Sequence, residues 1–309
     1  MKTSATLEPT IHSSAIRPVD MRMVLWMVLL TLLWGLNAIT IKTVTEGITP
    51  IMSAGLRGVL ALTLMTAWGL WRGERLVYRG RELLHGGVIG LMFGVEFILI
   101  YSGALYTNGG HISIFINTAP FFVALGAHFI LQNDRLHVVK IAGLLLAFCG
   151  IILLFSDQLY VSKSGFWRGD LLVMGGAILW AGTTLYMKRY MVTHWNGFRL
   201  LHVQVLVSTP ILVGYSLLTE SNPLFAVSTS IVVTLVFQAG VIVFFSYLMW
   251  MILLRVYPAS SMQSFTFLSP IWGVLAGIIL LGEKVSLFLM IGMALVGLGL
   301  FLVNRTRSG

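Results

Sequence analysis

The chain has 309 residues, 57% of them hydrophobic and only 10% charged, and its formal net charge is +9. Soluble domains carry about 25% charged residues, so this composition excludes a water-surrounded fold and indicates an integral membrane protein. The single cysteine, Cys149, excludes an internal disulfide and a cysteine-built metal site, and no other residues show metal-type spacing or call for a cofactor.

Residues 1–21 form a polar tail with two prolines, Pro9 and Pro18. No short apolar core with a small-residue cleavage site follows, so the first apolar segment reads as a membrane span. A span needs roughly 20 apolar residues. Ten such segments occur, near 22–44, 50–71, 83–105, 111–131, 137–155, 169–191, 198–218, 228–253, 259–281 and 286–303.

The first span places Trp34 and Asn37 on one face, and Arg57 opens the second. Arg57 and Lys42 are expected to snorkel outward or to pair with Glu46. The third span carries Glu96 near its middle, opposite a stripe of Gly86, Gly90, Gly94 and Tyr101. An ionisable group at that depth costs roughly 2.5–3.5 kcal/mol, so Glu96 must face protein or water. It either lines a cavity or is held protonated against a neighbouring helix.

In the fourth span Asn117 lies one turn before Pro120. The sixth has Trp180 with Thr183 and Thr184. The seventh has His202 and Gln204 near one end, and His128 ends the fourth; such histidines are usually bonded locally. In the eighth, regular helical spacing puts Gln238, Ile242 and Phe245 on one face and Gly240 with Tyr247 on the other. Gln238 and Ile242 are therefore expected on the cavity, and both Tyr101 and Tyr247 in packing. In the ninth, Gln263 and Phe267 precede Pro270. A proline removes a helical hydrogen bond and kinks the helix, so Pro120 and Pro270 are candidate gate hinges. Gly273 and Gly277 form a GxxxG step that packs within the chain or makes a homodimer; the sequence leaves both open.

Lys and Arg number 15 in the segments on the side of the two termini and 4 on the other. By the positive-inside rule both ends are cytoplasmic, which accounts for the net charge without nucleic acid. Trp26, Trp68, Trp71, Trp167 and Trp195 fall near the expected interfaces.

Features recur along the chain. Trp34 and Lys42 match Trp180 and Lys188 at offset 146, as Gly94 and Tyr101 match Gly240 and Tyr247. Pro120 matches Pro270 at 150, and Gly143 and Gly150 match Gly292 and Gly299 at 149. The fold class is thus an all-α membrane protein of ten transmembrane helices in two five-helix repeats, 22–155 and 169–303. A linker at 156–168 joins them on the outer face, and 304–309 form a second cytoplasmic tail. Five is odd, so the second repeat enters from the opposite side and the repeats are inverted.

The stretches LLWGLNAITIK (32–42), ILWAGTTLYMKRY (178–190) and LSPIWGVLAGIILLGEKVSLFLMIGMALVGLGL (268–300) resemble the drug/metabolite transporter superfamily, specifically its EamA-type exporters. The first-repeat counterpart of the GE step is degraded to Gln132-Asn133-Asp134. Glu96 followed by Ser102 looks somewhat like the YddG-type aromatic amino acid exporters. The resemblance implies metabolite export across a bacterial inner membrane.

The expected cavity is aromatic, with one carboxylate and a few amides, lined by Trp34, Asn37, Glu96, Asn117, Trp180, Gln238, Ile242 and Gln263. It suits an amino acid, aromatic or otherwise large and apolar, and after that a hydrophobic cationic drug. No P-loop is present, so ATP is not the direct energy source. An intramembrane enzyme would need a carboxylate pair, an HExxH helix or a Ser/His arrangement, and a channel a continuous polar stripe; the sequence shows none of these.

Overall fold

A computed structural model describes residues 17–132, 134–159, 165–281 and 286–305. Residues 1–16 and 306–309 of the tails, 160–164 of the linker, Asn133 and the Glu283–Lys284 pair lie outside the described residues.

The chain forms α1 (Met21–Thr45), α2 (Pro50–Trp71), α3 (Arg81–Ala104), α4 (Gly109–Ile130), α5 (Val138–Leu154), α6 (Phe166–Tyr190), α7 (Gly197–Thr219), α8 (Thr229–Val256), α9 (Ala259–Ile279) and α10 (Leu287–Asn304). Nine are long and apolar enough to cross a membrane. The tenth, α5, has 17 residues. At about 1.5 Å per residue it is roughly 26 Å long, close to the hydrocarbon thickness of about 30 Å. Among the described residues there is no strand, only an isolated pairing of Ile48 with Leu224. In lipid every backbone polar group must be satisfied within the protein, which leaves helices and closed barrels as the spanning forms, and here helices.

Several helix starts carry side-chain caps. Asp20 accepts from the Met23 N–H at 2.8 Å, Asn108 from His111 at 2.9 Å and Asn196 from Arg199 at 2.7 Å. Two helices are broken. α4 stops at Ile116 and resumes at Ala119. α9 passes from Ala259–Ser264 through a tight turn, Phe265–Phe267, before resuming at Leu268. Each break lies just before a proline, Pro120 or Pro270, whose ring removes one backbone bond and crowds the preceding turn. α8 contains a nine-residue π-helical segment, Gln238–Ser246.

The repeats interlock. α1 packs on α9 as α6 packs on α4, and α3 packs on α7 as α8 packs on α2. α5 and α10 pack on each other. A Cβ on Gly150 would sit 2.6 Å from the Gly292 carbonyl oxygen, and one on Gly143 would sit 2.7 Å from that of Gly299. Gly143 and Gly292 are repeat mates, as are Gly150 and Gly299. Exchanging the halves therefore turns one contact into the other, as a two-fold axis in the membrane plane requires.

Gly150→Ala and Gly292→Ala should each destabilise the detergent-solubilised protein by about 1–3 kcal/mol, the usual effect of overpacking. Nothing lies within 4 Å of a Cβ at Gly297 on the same helix, so Gly297→Ala should leave the melting temperature unchanged or slightly raised. Thermal unfolding of the three variants checks this.

Candidate functional site

Between the repeats lies a cavity of about 260 Å³ with contributions from α1, α3, α4, α6, α7, α8 and α9. Its centre is aromatic. Trp34 of α1 meets its repeat mate Trp180 of α6 edge-on at 6.4 Å, and also contacts Tyr247 at 6.3 Å and Trp250 at 5.5 Å. The Trp34 indole N–H donates to Ser246 Oγ at 2.9 Å, which fixes the ring. Phe93 stacks edge-on against Phe97 and Tyr247 and continues the apolar wall.

Against this wall stand a few polar groups. Glu96 is 5% exposed and its Oε2 has no hydrogen-bond partner. Thr184 Oγ1, Gln204 Oε1 and Ser269 Oγ, all on the same cavity, are likewise buried and unpartnered. Buried polar atoms are nearly always bonded, so four orphans around one space mark a site completed by water or a ligand. The helix breaks lie at this level. Pro120 and Pro270 have no N–H for the carbonyls of Ile116 and Thr266, and both of those residues line the cavity.

Five of the expected positions, Trp34, Asn37, Glu96, Asn117 and Trp180, border the cavity. Gln238, Ile242 and Gln263 do not. Gln238 donates to Thr40 Oγ1 at 2.9 Å, and that hydroxyl lies 2.8 Å from Asn37 Oδ1, so Gln238 supports a wall residue from behind. Ile242 is packed away at 1% exposure, while Tyr247, expected in packing, faces the cavity. The π-helical segment accounts for Tyr247: bonding i to i+5 advances each residue by less than a regular helix does, and by the end of nine residues the angular lag is large. Gln263 is fully buried beside Met262 and Phe265, with both amide atoms unpartnered. The tight turn after it presents Thr266 and Ser269 to the cavity instead. Tyr101 packs with Ile51, Ala54 and Leu212.

Arg57 also departs from expectation. It neither snorkels nor pairs with Glu46; it is 4% exposed, with its guanidinium 4.7 Å from the centre of the Phe97 ring. His202 is bonded locally, to Tyr78 at 2.9 Å and Thr66 at 3.1 Å. Burial pushes the Tyr78 phenol up to about 12, so it stays protonated at this contact.

The two ends of the cavity differ. At the N-side, where α1 begins, one continuous apolar cluster includes Met23, Met27, Met65, Met187, Met191, Leu254 and Met262. Polar ties cross it. The Lys188 ammonium donates to the Leu254 and Tyr257 carbonyls at 2.6 and 2.8 Å. Asp134 binds Lys140 at 2.6 Å, the Ser260 N–H at 2.9 Å and the Ser260 hydroxyl. The Tyr257 hydroxyl donates to Asp20. The Met23 N–H holds the Asp20 carboxyl below its usual range, while burial and Asp20 itself push the Tyr257 phenol up. Toward the far side the buried apolar residues fall into separate clusters, around Val44 and Leu235 and around Ile51 and Leu212, while a further cluster runs along α5 and α10 through both sides, from Val303 to Ile151. Ile100 and Ile116, at the far-side limit of the cavity, are partly exposed; Met187, Gln204 and Met251, at the other limit, are buried. The lining is thus buried at its N-side limit and partly exposed at its far-side limit.

A model of the EamA-like transporter family matches residues 21–156 and again 167–305. The chain belongs to that family. This EamA-like chain is 30% identical over 276 residues to an uncharacterized transporter of Archaeoglobus fulgidus, covering 89% of its own length and 95% of the relative. It is 26% identical to a probable amino-acid metabolite efflux pump of Salmonella typhimurium and 25% identical to one of Escherichia coli, each alignment covering 89% of this chain and 92% of the relative. A crystal structure superposes on 91% of this chain and 97% of its own with a TM-score of 0.78 at 18% identity, a likeness of fold.

The N-side closure should weaken in Lys188→Met, which leaves two buried carbonyls without their charged donor. A hydrogen bond to a charged group contributes about 1.5–3 kcal/mol, so the closed form should lose about tenfold or more in population. In a Cys149→Ser background, Cys placed at Met187 should resist an impermeant thiol reagent in the parent and react from the N-side in Lys188→Met. Cys placed at Ile100 should react from the far side in the parent.

Proposed function

We propose that this EamA-like transporter exports amino acids with large apolar or aromatic side chains, by alternating access through the central cavity. The observation that carries the reading is Glu96, a buried carboxylate with no ion-pair partner among the described residues, in an otherwise aromatic cavity between the repeats. A carboxylate in so apolar a place suits a cationic group that arrives with the substrate. Trp34, Trp180 and Trp250 offer flat surfaces to an apolar side chain.

The positive-inside bias puts the N-side in the cytoplasm, with both termini there. A cavity buried at the N-side and open at the far side is then the releasing state of an exporter. Reloading requires the N-side ties of Lys188, Asp134 and Tyr257 to part while the far side closes, with the breaks before Pro120 and Pro270 as the bending points. Two relatives named as amino-acid metabolite efflux pumps support the substrate class. A second reading has its own support, because a carboxylate framed by aromatic faces also attracts a hydrophobic cation.

Proteoliposomes loaded with a labelled amino acid panel test the proposal, using the parent and Glu96→Gln with and without a pH gradient. Large apolar amino acids should move in the parent. Glu96→Gln should weaken their apparent affinity by about 10- to 150-fold, the equivalent of one charged hydrogen bond of about 1.5–3 kcal/mol. Transport of a cationic dye but of no amino acid would favour the second reading. Parent-like transport by Glu96→Gln would make Glu96 structural.

A further inference from the structure

Beside the central cavity is a second, much smaller one of about 10 Å³, bordered by Arg57 of α2, Ser208 and Thr209 of α7, and Phe93, Phe97 and Tyr247. The last three residues also border the central cavity, so the two spaces share an aromatic partition. The Arg57 guanidinium lies against one ring of that partition, Phe97.

Arg57 is the charge that the transport reading leaves unused. It is 4% exposed at a depth where a guanidinium needs replacement for its lost hydration. What it has is the face of Phe97. Among the described residues it has no carboxylate in ion-pair distance, and neither a carbonyl nor a hydroxyl accepts from it. The other polar groups around this space are hydroxyls. Thr209 Oγ1 is buried and unpartnered, while Ser208 makes only a long bond of 3.4 Å within its own helix. A fixed cation beside one unpartnered and one weakly bonded hydroxyl, with no acid among the lining residues, forms a receptor for an anion.

The placement relative to Glu96 says which anion. Glu96 and Phe97 are consecutive on α3, and the Arg57 guanidinium lies over the Phe97 ring. Tyr247 stands within electrostatic reach of both Arg57 and Glu96. An unpaired cation and an unpaired anion are thus held on two sides of one aromatic partition, close but not joined. This is the charge pattern complementary to a zwitterion.

We propose that Arg57, with Thr209, receives the carboxylate of the transported amino acid while Glu96 receives its ammonium group. The inference rests on the exporter reading above and gives the carboxylate of the amino acid a contact that reading does not name. Arg57 then sets specificity for amino acids over amines.

The test uses L-phenylalanine and its decarboxylated analogue phenethylamine as probes, in proteoliposomes of the full chain. The parent should prefer phenylalanine by about tenfold or more, as a charged two-point contact implies. Arg57→Gln should bring the ratio of the two probes near one while still moving phenethylamine, and Arg57→Lys should restore part of the preference. Arg57→Gln that moves both probes and keeps the parent's ratio overturns the assignment while the exporter reading stands. If Arg57→Gln moves neither probe, Arg57→Lys decides: a retained preference supports the assignment, and an equal response to both probes overturns it. A parent that moves phenethylamine but not phenylalanine overturns both the assignment and the amino acid reading.

Discussion

The backbone contact between α5 and α10 is the constraint on which the rest of the architecture depends. Where Gly143 faces Gly299 and Gly150 faces Gly292, no side chain fits between the helices. The contact ties the last helix of one repeat to the last helix of the other, and its pairing is its own image under exchange of the halves. With that relation set, α1 on α9 and α6 on α4 become equivalent packings, and the space between the repeats falls at the middle of the membrane.

Chemically related halves need not adopt the same shape at one moment. α3 packs along α6 and α7 more extensively than its mate α8 packs along α1 and α2, and one continuous apolar cluster fills the N-side. The seal is rich in methionine, whose unbranched side chain fills irregular gaps and repacks easily. Polar ties of Lys188, Asp134 and Asp20 give that adaptable plug a defined closed arrangement. An interface built this way separates without exposing a rigid, shape-matched surface.

Much of this was legible in the sequence. Hydropathy shows the ten spans, and the recurrence of Trp34 as Trp180 and of Gly143 as Gly292 shows the repeat, because membrane burial and close helix crossing leave few residue choices. Glu96 stood out through the cost of its depth. What escaped depends on departures from the regular 3.6-residue turn and on partners distant in the chain. The π-helical segment rotated Tyr247 into the cavity, and the turn after Ser264 removed Gln263. Neither departure has a marker that spacing alone reveals, although Pro270 hints at the second. Arg57 was misread because a cation near the start of a span usually reaches for the interface, whereas here Phe97 and α7 enclose it.

The contact of Trp34 with Trp180 has a different standing from every tie at the N-side. Lys188 is engaged while its mate Lys42 is exposed, so exchanging the roles of the halves changes the surroundings of both. The tryptophan pair consists of two mates touching each other, and the same exchange returns it to itself. It is a fixed point of the molecule's internal symmetry. In the alternating-access reading proposed above, doors on either face trade places around it while the floor beneath the cargo stays where it is, so such a machine moves its walls past the cargo.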